Sequence, residues 1–386
     1  MPIVSGAQTY DVVVVGAGVF GAWTAYHLAR EGSRVLLVDA YGTANSRSSS
    51  AGESRIIRMS YGADEVYTRW SMRSLDLWRQ FCEETGARLF HRTGVLWLTH
   101  EADPMAIATL ATFAKVGVPH KKLSREEIAR RFPLIACQDS ECAIYEPESG
   151  ALMARRAVQA IVDEFQKAGG TYLVAEAEPP SGRGHIDALA TWSGETLHAS
   201  TYVFACGPWL PKVFRALLGH RIFPSRQEIY FFGVPPGDRS YSLGNFPTWL
   251  DVGSLMYGIP DIEGRGFKIA SDMHGPAVDP NTLERVAGET LPLVRDYLRR
   301  RFPALRDAPV IESRVCQYEN TSSGDFLIDR HPDFENVWLV GGGSGHGFKH
   351  GPAMGEYVSR LVLEGGETDS RFSLAAKQTV QKRAVY

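Results

Sequence analysis

The hydrophobic pattern begins with an unbroken β-branched run, Val12 to Val15, of the kind that suits a strand buried on both faces. Gly16, Gly18 and Gly21 follow, then an apolar, alanine-rich stretch predicted as a helix, then a second apolar run that ends at Asp39. Strand, Gly-x-Gly-x-x-Gly turn, helix and acid-terminated strand together predict a dinucleotide site. In that unit Gly16 allows the tight turn, Gly18 lets the backbone approach a pyrophosphate, and Gly21 lets helix and strand pack closely. The helix N-terminus aims unpaired N–H groups at the phosphates. Asp39 is placed to accept hydrogen bonds from a ribose.

Further along, Tyr41 to Ser54 is polar, serine-rich and without periodicity, a loop whose length suggests function or mobility. Arg55 and Arg58 are three apart and would share a face on a helical turn. Helical apolar spacing covers about Tyr67 to Thr85 and Met153 to Ala168, the latter stopped by Gly169-Gly170. Ser124-x-x-Glu127 is a capping box for a short helix that stops near Pro133. Strands are predicted at Thr93 to Thr99, Ala143 to Tyr145, Thr171 to Ala175 and Thr201 to Cys206, the last running into Gly207-Pro208-Trp209. From Gln227 the texture turns to aromatic and β-branched residues with frequent Gly and Pro. Antiparallel strands are expected there at Glu228 to Val234, Thr248 to Asp251, Leu255 to Ile259 and Phe267 to Ser271. A long helix, about Asn281 to Arg301, and a strand, Val310 to Tyr318, come next. The strand Val337 to Val340 then meets a second glycine-rich turn, Gly341 to Gly347, and Pro352 opens a helix.

Composition narrows the class of protein. The chain has 386 residues, 44% hydrophobic and 22% charged, with a formal charge of −3, an ordinary globular balance long enough for two domains. Neither a nucleic-acid groove nor a polybasic membrane contact is expected. Five scattered cysteines argue against a disulfide framework or a zinc site and suit a reducing, cytoplasmic compartment. Residues 1–10 carry no signal-peptide pattern, and Arg383 to Tyr386 is not a peroxisomal address. The apolar stretch 12–29 is read as strand, turn and helix, not as a membrane span.

The motifs in their order resemble a known family. They are Gly16-x-Gly18-x-x-Gly21, Ser54-Arg55-Ile56-Ile57-Arg58, Thr93-Gly94-Val95-Leu96, Gly207-Pro208-Trp209, Cys316-x-Tyr318, Phe326 to Pro332, and Gly345-His346-Gly347-Phe348-Lys349. Nearly end to end, the chain resembles the monomeric sarcosine oxidase family of FAD-dependent amine oxidases, which includes N-methyltryptophan and pipecolate oxidases. The resemblance implies an α/β plus β architecture. A Rossmann-like, glutathione-reductase-type FAD domain (1–88, 145–222 and 322–386) would interleave with a mainly antiparallel-sheet substrate domain (89–144 and 223–321). It implies a monomer that acts on a small-molecule amine or amino acid with dioxygen (O2), and FAD held covalently through Cys316. It also implies that Arg58 and Lys349 hold the substrate carboxylate and that Lys268 activates dioxygen. Ser54 and Arg55 would lie by the flavin with Gly345, Gly347 and Lys349, and Tyr257 and Tyr318 would line the substrate pocket.

The departures from the family bear on substrate. Ser50 and Ala51 stand where histidines are frequent, and Asp272 stands where the family has an active-site histidine. An anion at Asp272 would favour a cationic amine or a basic side chain and disfavour a second carboxylate. The expected activity is oxidation of secondary amino acids, N-methyl or cyclic. A primary, D- or sugar-linked amine, or a dehydrogenase using another acceptor, keeps the same fold. An NAD-dependent dehydrogenase leaves the second glycine turn and Cys316-x-Tyr318 unexplained, and for an idle flavin-binding protein the sequence offers no partner surface.

Overall fold

The computed structural model describes residues 9–138, 141–282 and 287–382. The readings of residues 1–8, of Arg383 to Tyr386, and of residues 283–286 within the predicted long helix fall outside them. A seven-stranded sheet carries the dinucleotide signature. Its strands lie side by side in the order Leu327–Arg330, Val337–Gly341, Thr196–Phe204, Thr9–Val15, Val35–Asp39 and Thr171–Val174, with Leu189–Ala190 paired to Thr196–Phe204. The central pairs are parallel, and Leu327–Arg330 and Leu189–Ala190 add antiparallel pairs. Val12 and Val14 join one apolar core while Val13 and Val15 join another, so the run is β-branched throughout because both faces are covered. The helix Val19–Arg30 lies on the first of these faces, packed among Ala154–Lys167 and Gly351–Glu364.

Gly21 is where that helix comes closest to the sheet. A Cβ there would collide with the carbonyl oxygen of Gly16, itself a backbone group that cannot step aside. At Gly18 a Cβ meets nothing nearer than Ser50 Oγ at 3.7 Å. Gly21→Ala is therefore expected to cost about 1–3 kcal/mol of stability, and Gly18→Ala much less. Thermal unfolding of the two variants beside the parent checks this; equal midpoints for both would contradict the packing argument.

An eight-stranded sheet forms the second layer. Its order is Val310–Thr321, Ile222–Phe232, Phe267–Ser271, Met256–Ile259, Thr248–Asp251, Val95–His100, Glu141–Glu146 and Lys121–Leu123. The pairs are antiparallel except Thr248–Asp251 with Val95–His100. One face packs with the helices Arg125–Arg131 and Leu291–Arg301 around Trp249, Phe267, Ile269, Tyr297 and Phe302. The other face presents Ile229, Phe231, Ala270 and Cys316. The expected α/β plus β class is what the two sheets form.

Several elements differ from expectation. Arg55–Ile57 is a short strand paired with Gly150–Leu152, not a helical turn. The pairing supplies the backbone hydrogen bonds that an isolated turn would have to make alone. The helix predicted from Asn281 is described from Leu291 to Arg301, with Pro292 in its first turn, where a missing N–H costs nothing. The strand predicted from Thr201 begins at Thr196, and that predicted from Glu228 begins at Ile222. The helix Pro104–Val116 has no predicted counterpart, although Asp103 caps it, Pro104 opens it and Gly117 closes it at φ +80°.

Candidate active site

A long cleft runs past the carboxyl ends of the parallel strands, where α/β sheets place their ligands. Gly16, Gly18, Asp39, Ser49, Ser50, Cys206 and Gly207 line one stretch of it, and Cys316, Gln317, Glu319, Gly343, Gly345 and Gly347 line another. The first glycine turn is braced by side chains. Asp39 accepts from the amides of Ala17 (2.8 Å) and Tyr41 (2.9 Å), and Ser50 Oγ accepts from the amide of Val19 (3.1 Å). Burial holds the Asp39 carboxyl above the usual carboxylate range. Gly18 leaves its backbone open toward the cleft, while Ser49 Oγ, Gln317 Oε1 and Glu319 Oε1 are buried on its wall without a partner. Buried polar atoms of this kind call for a bound polar group. The open backbone and the orphaned oxygens fit a dinucleotide.

A second, smaller cavity adjoins the cleft and draws together residues from distant stretches of chain. It is lined by Arg55, Arg58, Tyr257, Asp272, Cys316, Tyr318, Gly345 and Lys349 among others. Arg55 and Arg58 reach it from a strand and the residue beyond its end. Arg55 donates to the carbonyls of Ser54 (2.9 Å) and Ser49 (2.6 Å), and its Nη2 lies 3.5 Å from Cys316 Sγ. Arg58 is buried, donates to the carbonyl of Ser60, and sits 4.8 Å from the ring centres of both Tyr61 and Trp97. Lys349 is buried as well, donates to the carbonyl of His346 at 3.1 Å, and lies 4.9 Å from the Tyr61 ring. Two cations thus enter one end of the cavity. Tyr318 donates toward Asp272 at 3.5 Å, and burial first, with the nearby Asp272 carboxylate adding to it, raises the phenols of Tyr257 and Tyr318.

Lys268 lies just behind this cavity. Alternation on Phe267–Ser271 sends Phe267 and Ile269 into the outer core and puts Lys268 on the face with Ala270. The residue is 1% exposed, and its Nζ donates to the carbonyl of Ser54 at 2.7 Å. Burial pushes its pKa well below the ordinary lysine range, with the Arg55 cation second.

Tyr61, His350 and Glu146 have no counterpart in the sequence reading, and His346 stands there only as a motif position. Tyr61 Oη lies 3.0 Å from His346 Nδ1 and 2.8 Å from His350 Nε2, while His346 Nε2 lies 3.0 Å from the carbonyl of Gly324. That carbonyl can only accept, so His346 carries a proton on Nε2, and in the neutral ring Nδ1 accepts from Tyr61. Tyr61 then accepts from His350 Nε2. Burial, and after it the Lys349 and Arg58 cations, keeps His350 neutral. The chain of bonds fixes the turn bearing Lys349 to the segment following Arg58. Glu146, buried, fixes the other side: it accepts from the Met59 amide (2.7 Å), from Ser60 Oγ and from Ser149 Oγ (2.6 Å). Partners 285 positions apart carry no local signal, so only the fold reveals them.

Among the described residues no cluster of three metal-type ligands occurs and no helix is long and apolar enough to cross a membrane. All five cysteines are free thiols.

The chain belongs to the FAD dependent oxidoreductase family, whose profile matches residues 11–361. It is 32% identical over 365 residues to the peroxisomal sarcosine oxidase of Homo sapiens, covering 92% of each chain. It is 31% identical over 389 residues to the monomeric sarcosine oxidase of a Bacillus species, covering 97% of this chain and 99% of that one. Among solved structures, L-proline dehydrogenase from P. horikoshii superposes with a TM-score of 0.83 at 22% identity, covering 95% of this chain and 97% of that one, a likeness of fold. With the sarcosine oxidases as relatives over nearly the whole chain, the protein is an FAD-dependent amine oxidoreductase.

Proposed function

We propose that the protein is an oxidase of secondary amino acids, N-methyl or cyclic, with dioxygen as acceptor. The observation that carries this reading is the entry of Arg58 and Lys349 into one small cavity that also meets Arg55, Cys316 and Tyr318 at the end of the dinucleotide cleft. When bound, FAD supplies the acceptor for the hydride equivalent leaving the carbon next to nitrogen, and dioxygen then takes the electrons, giving hydrogen peroxide and an imine that hydrolyses. Gly16, Gly18 and Asp39 would hold the adenosine and pyrophosphate end, with Gly21 packing the helix onto the sheet behind them, and Arg55, Gly345 and Gly347 would surround the reactive end; Ser54, expected there too, lines neither cavity and instead accepts from Lys268. Arg58 grips the substrate carboxylate as a planar fork and Lys349 as a point charge. Holding that end aims the C–H bond and leaves the nitrogen clear. Tyr257, Tyr318 and Asp272 border the rest of the substrate. Lys268 supplies a fixed cation where charge develops on dioxygen. Screening N-methyl, cyclic and D-amino acids for peroxide release tests the reading, and no turnover of any secondary amino acid sinks it.

Cys316 is the proposed point of covalent attachment. Its side chain lines both the cleft and the inner cavity, with Sγ 3.5 Å from the Arg55 guanidinium. In denaturing acid the yellow colour is expected to precipitate with the parent chain and to stay in the supernatant with Cys316→Ala. Free flavin from the parent chain rules attachment out. A monomeric, cytoplasmic protein completes the proposal, as does the interleaved division at 88/89, 144/145, 222/223 and 321/322. The two large sheets support that division, except that the strands Glu141–Glu146 and Ile222–Phe232 cross two of its boundaries, at 144/145 and 222/223.

A further inference from the structure

Beyond Asp39 the cofactor cleft continues past residues that have no part in the chemistry above. Order along the sheet shows what this end can take. The first glycine turn follows Thr9–Val15, Asp39 ends the neighbouring strand, and Thr171–Val174 lies next to that one, all three parallel. A dinucleotide with its phosphates at the turn and a ribose at Asp39 therefore carries its base toward the end of Thr171–Val174. That direction leads away from Val337–Gly341 and the second glycine turn. Ala175, Glu176 and Ala177 continue from the strand end along the cleft wall, and the Ala175 amide donates to the Asp39 carbonyl at 3.1 Å.

Trp192 stands on the same wall. Of the eight tryptophans it alone is exposed, at 66%. The fold does not ask for an indole there. Trp192 is the second residue of a tight turn, Thr191 to Gly194, between the strands Leu189–Ala190 and Thr196–Phe204. Glycine and small polar residues ordinarily fill such places. The turn is held by other groups: the Gly194 amide donates to the Thr191 carbonyl at 3.0 Å, the Thr191 amide to the Glu195 carbonyl at 3.0 Å, and Ser193 Oγ to the Glu195 carboxylate at 2.5 Å. The Trp192 amide donates to the Glu176 carbonyl at 2.9 Å, which ties the residue to the segment beside Asp39. An indole on so fixed a backbone is a flat apolar surface prepared in advance, where the base of a dinucleotide arrives.

We propose that Trp192 is the surface on which the base of the dinucleotide stacks, a contact that makes the chain prefer FAD to a flavin with one phosphate and no base. The inference rests on Asp39 holding the adenosine ribose, whichever amine is oxidised. A purine and an indole present broad π-faces to each other, and stacking covers apolar area that Trp192 otherwise leaves in water. Trp192 does not line the inner cavity, so its contribution is to retention of the cofactor and not to the reaction.

The test reads binding without substrate, so it stands apart from the choice of amine. It uses the Cys316→Ala chain, in which binding is reversible whatever the fate of the covalent link. FAD and FMN are titrated into flavin-stripped protein, and etheno-ADP, a fluorescent purine diphosphate that carries no flavin, is titrated separately. Trp192→Ala is expected to weaken FAD about 10- to 100-fold, the usual worth of one base–aromatic stack, and Trp192→Phe to weaken it less. FMN, which has no base to place at the turn, is expected to bind all three chains alike. At saturation the etheno-ADP fluorescence is expected to be quenched by the chain with Trp192 and to stay bright on Trp192→Ala. Unchanged FAD affinity in Trp192→Ala, equal losses for FAD and FMN, or equal quenching of etheno-ADP with and without the indole overturns the proposal. Asp39→Ala in the same titration separates the two assignments. A loss of FAD affinity there with none in Trp192→Ala strikes Trp192 alone, and no loss in either strikes the placement of the adenosine as well.

Discussion

Lys268→Met is expected to slow reoxidation of the substrate-reduced enzyme by dioxygen about 10²–10³-fold, the usual cost of deleting one preorganised charge in a closed site. Anaerobic reduction by substrate should change only a few-fold. The separation follows from geometry: Lys268 is held by Ser54 behind the cavity and does not line it. As dioxygen accepts its first electron it gains negative charge, and a buried ammonium stabilises that charge far better than water-screened lysine does. Burial and the Arg55 cation also predict a pH signature. Both push the lysine toward its neutral form, so the helpful cation is present at low pH and lost as pH rises through a pKa well below the ordinary lysine value. Reoxidation in the parent should decline along that titration, and in Lys268→Met the decline should vanish along with the rate. Stopped-flow mixing of the reduced protein with aerated buffer measures both. A variant that reoxidises at the parent rate removes Lys268 from the oxygen step.

The dinucleotide unit was legible because each of its residues answers a local requirement. Two-faced burial calls for Val12 to Val15, a backbone collision for Gly21, and a strand end beside the turn for Asp39. The capping box was equally local: Ser124 accepts from the amide of Glu127 as its spacing predicts. Where partners are remote, legibility fails. Arg55 to Arg58 carries spacing that a helix would accept, and only its pairing with Gly150–Leu152 makes part of it a strand. Pro104–Val116 is rich in Ala and Thr, and just four of its residues are buried, so its apolar stripe is faint. Tyr61, Glu146, His346 and His350 are single polar residues whose meaning arises when the strands bring them together. The inner cavity itself was anticipated through family likeness. Neither periodicity nor spacing along the chain places Lys349 beside Arg58.

Arg58→Ala is expected to lower kcat/KM for an amino-acid substrate by about 2–4 kcal/mol, roughly 30- to 1000-fold, because a substrate carboxylate would be left in a desolvated cavity short of one partner. The matching amine without the carboxylate supplies the control. If Arg58 grips that group, the amine should lose little on the same substitution, since the contact was never made. Arg58→Lys keeps the charge but not the fork and should retain part of the lost activity. Lys349→Ala should show the same dependence on the carboxylate. Since both cations enter one cavity, the double variant should lose less than the two single losses added. Folding must be separated from binding, because the Arg58 guanidinium also lies between the rings of Tyr61 and Trp97. Arg58→Ala is therefore expected to lower the thermal midpoint as well, while Arg58→Lys, which retains a cation between the two rings, lowers it less. Steady-state kinetics on the acid and amine pair, with midpoints taken on the same preparations, decides the matter. Equal losses for acid and amine in every variant would mean that Arg58 shapes the cavity without holding the carboxylate.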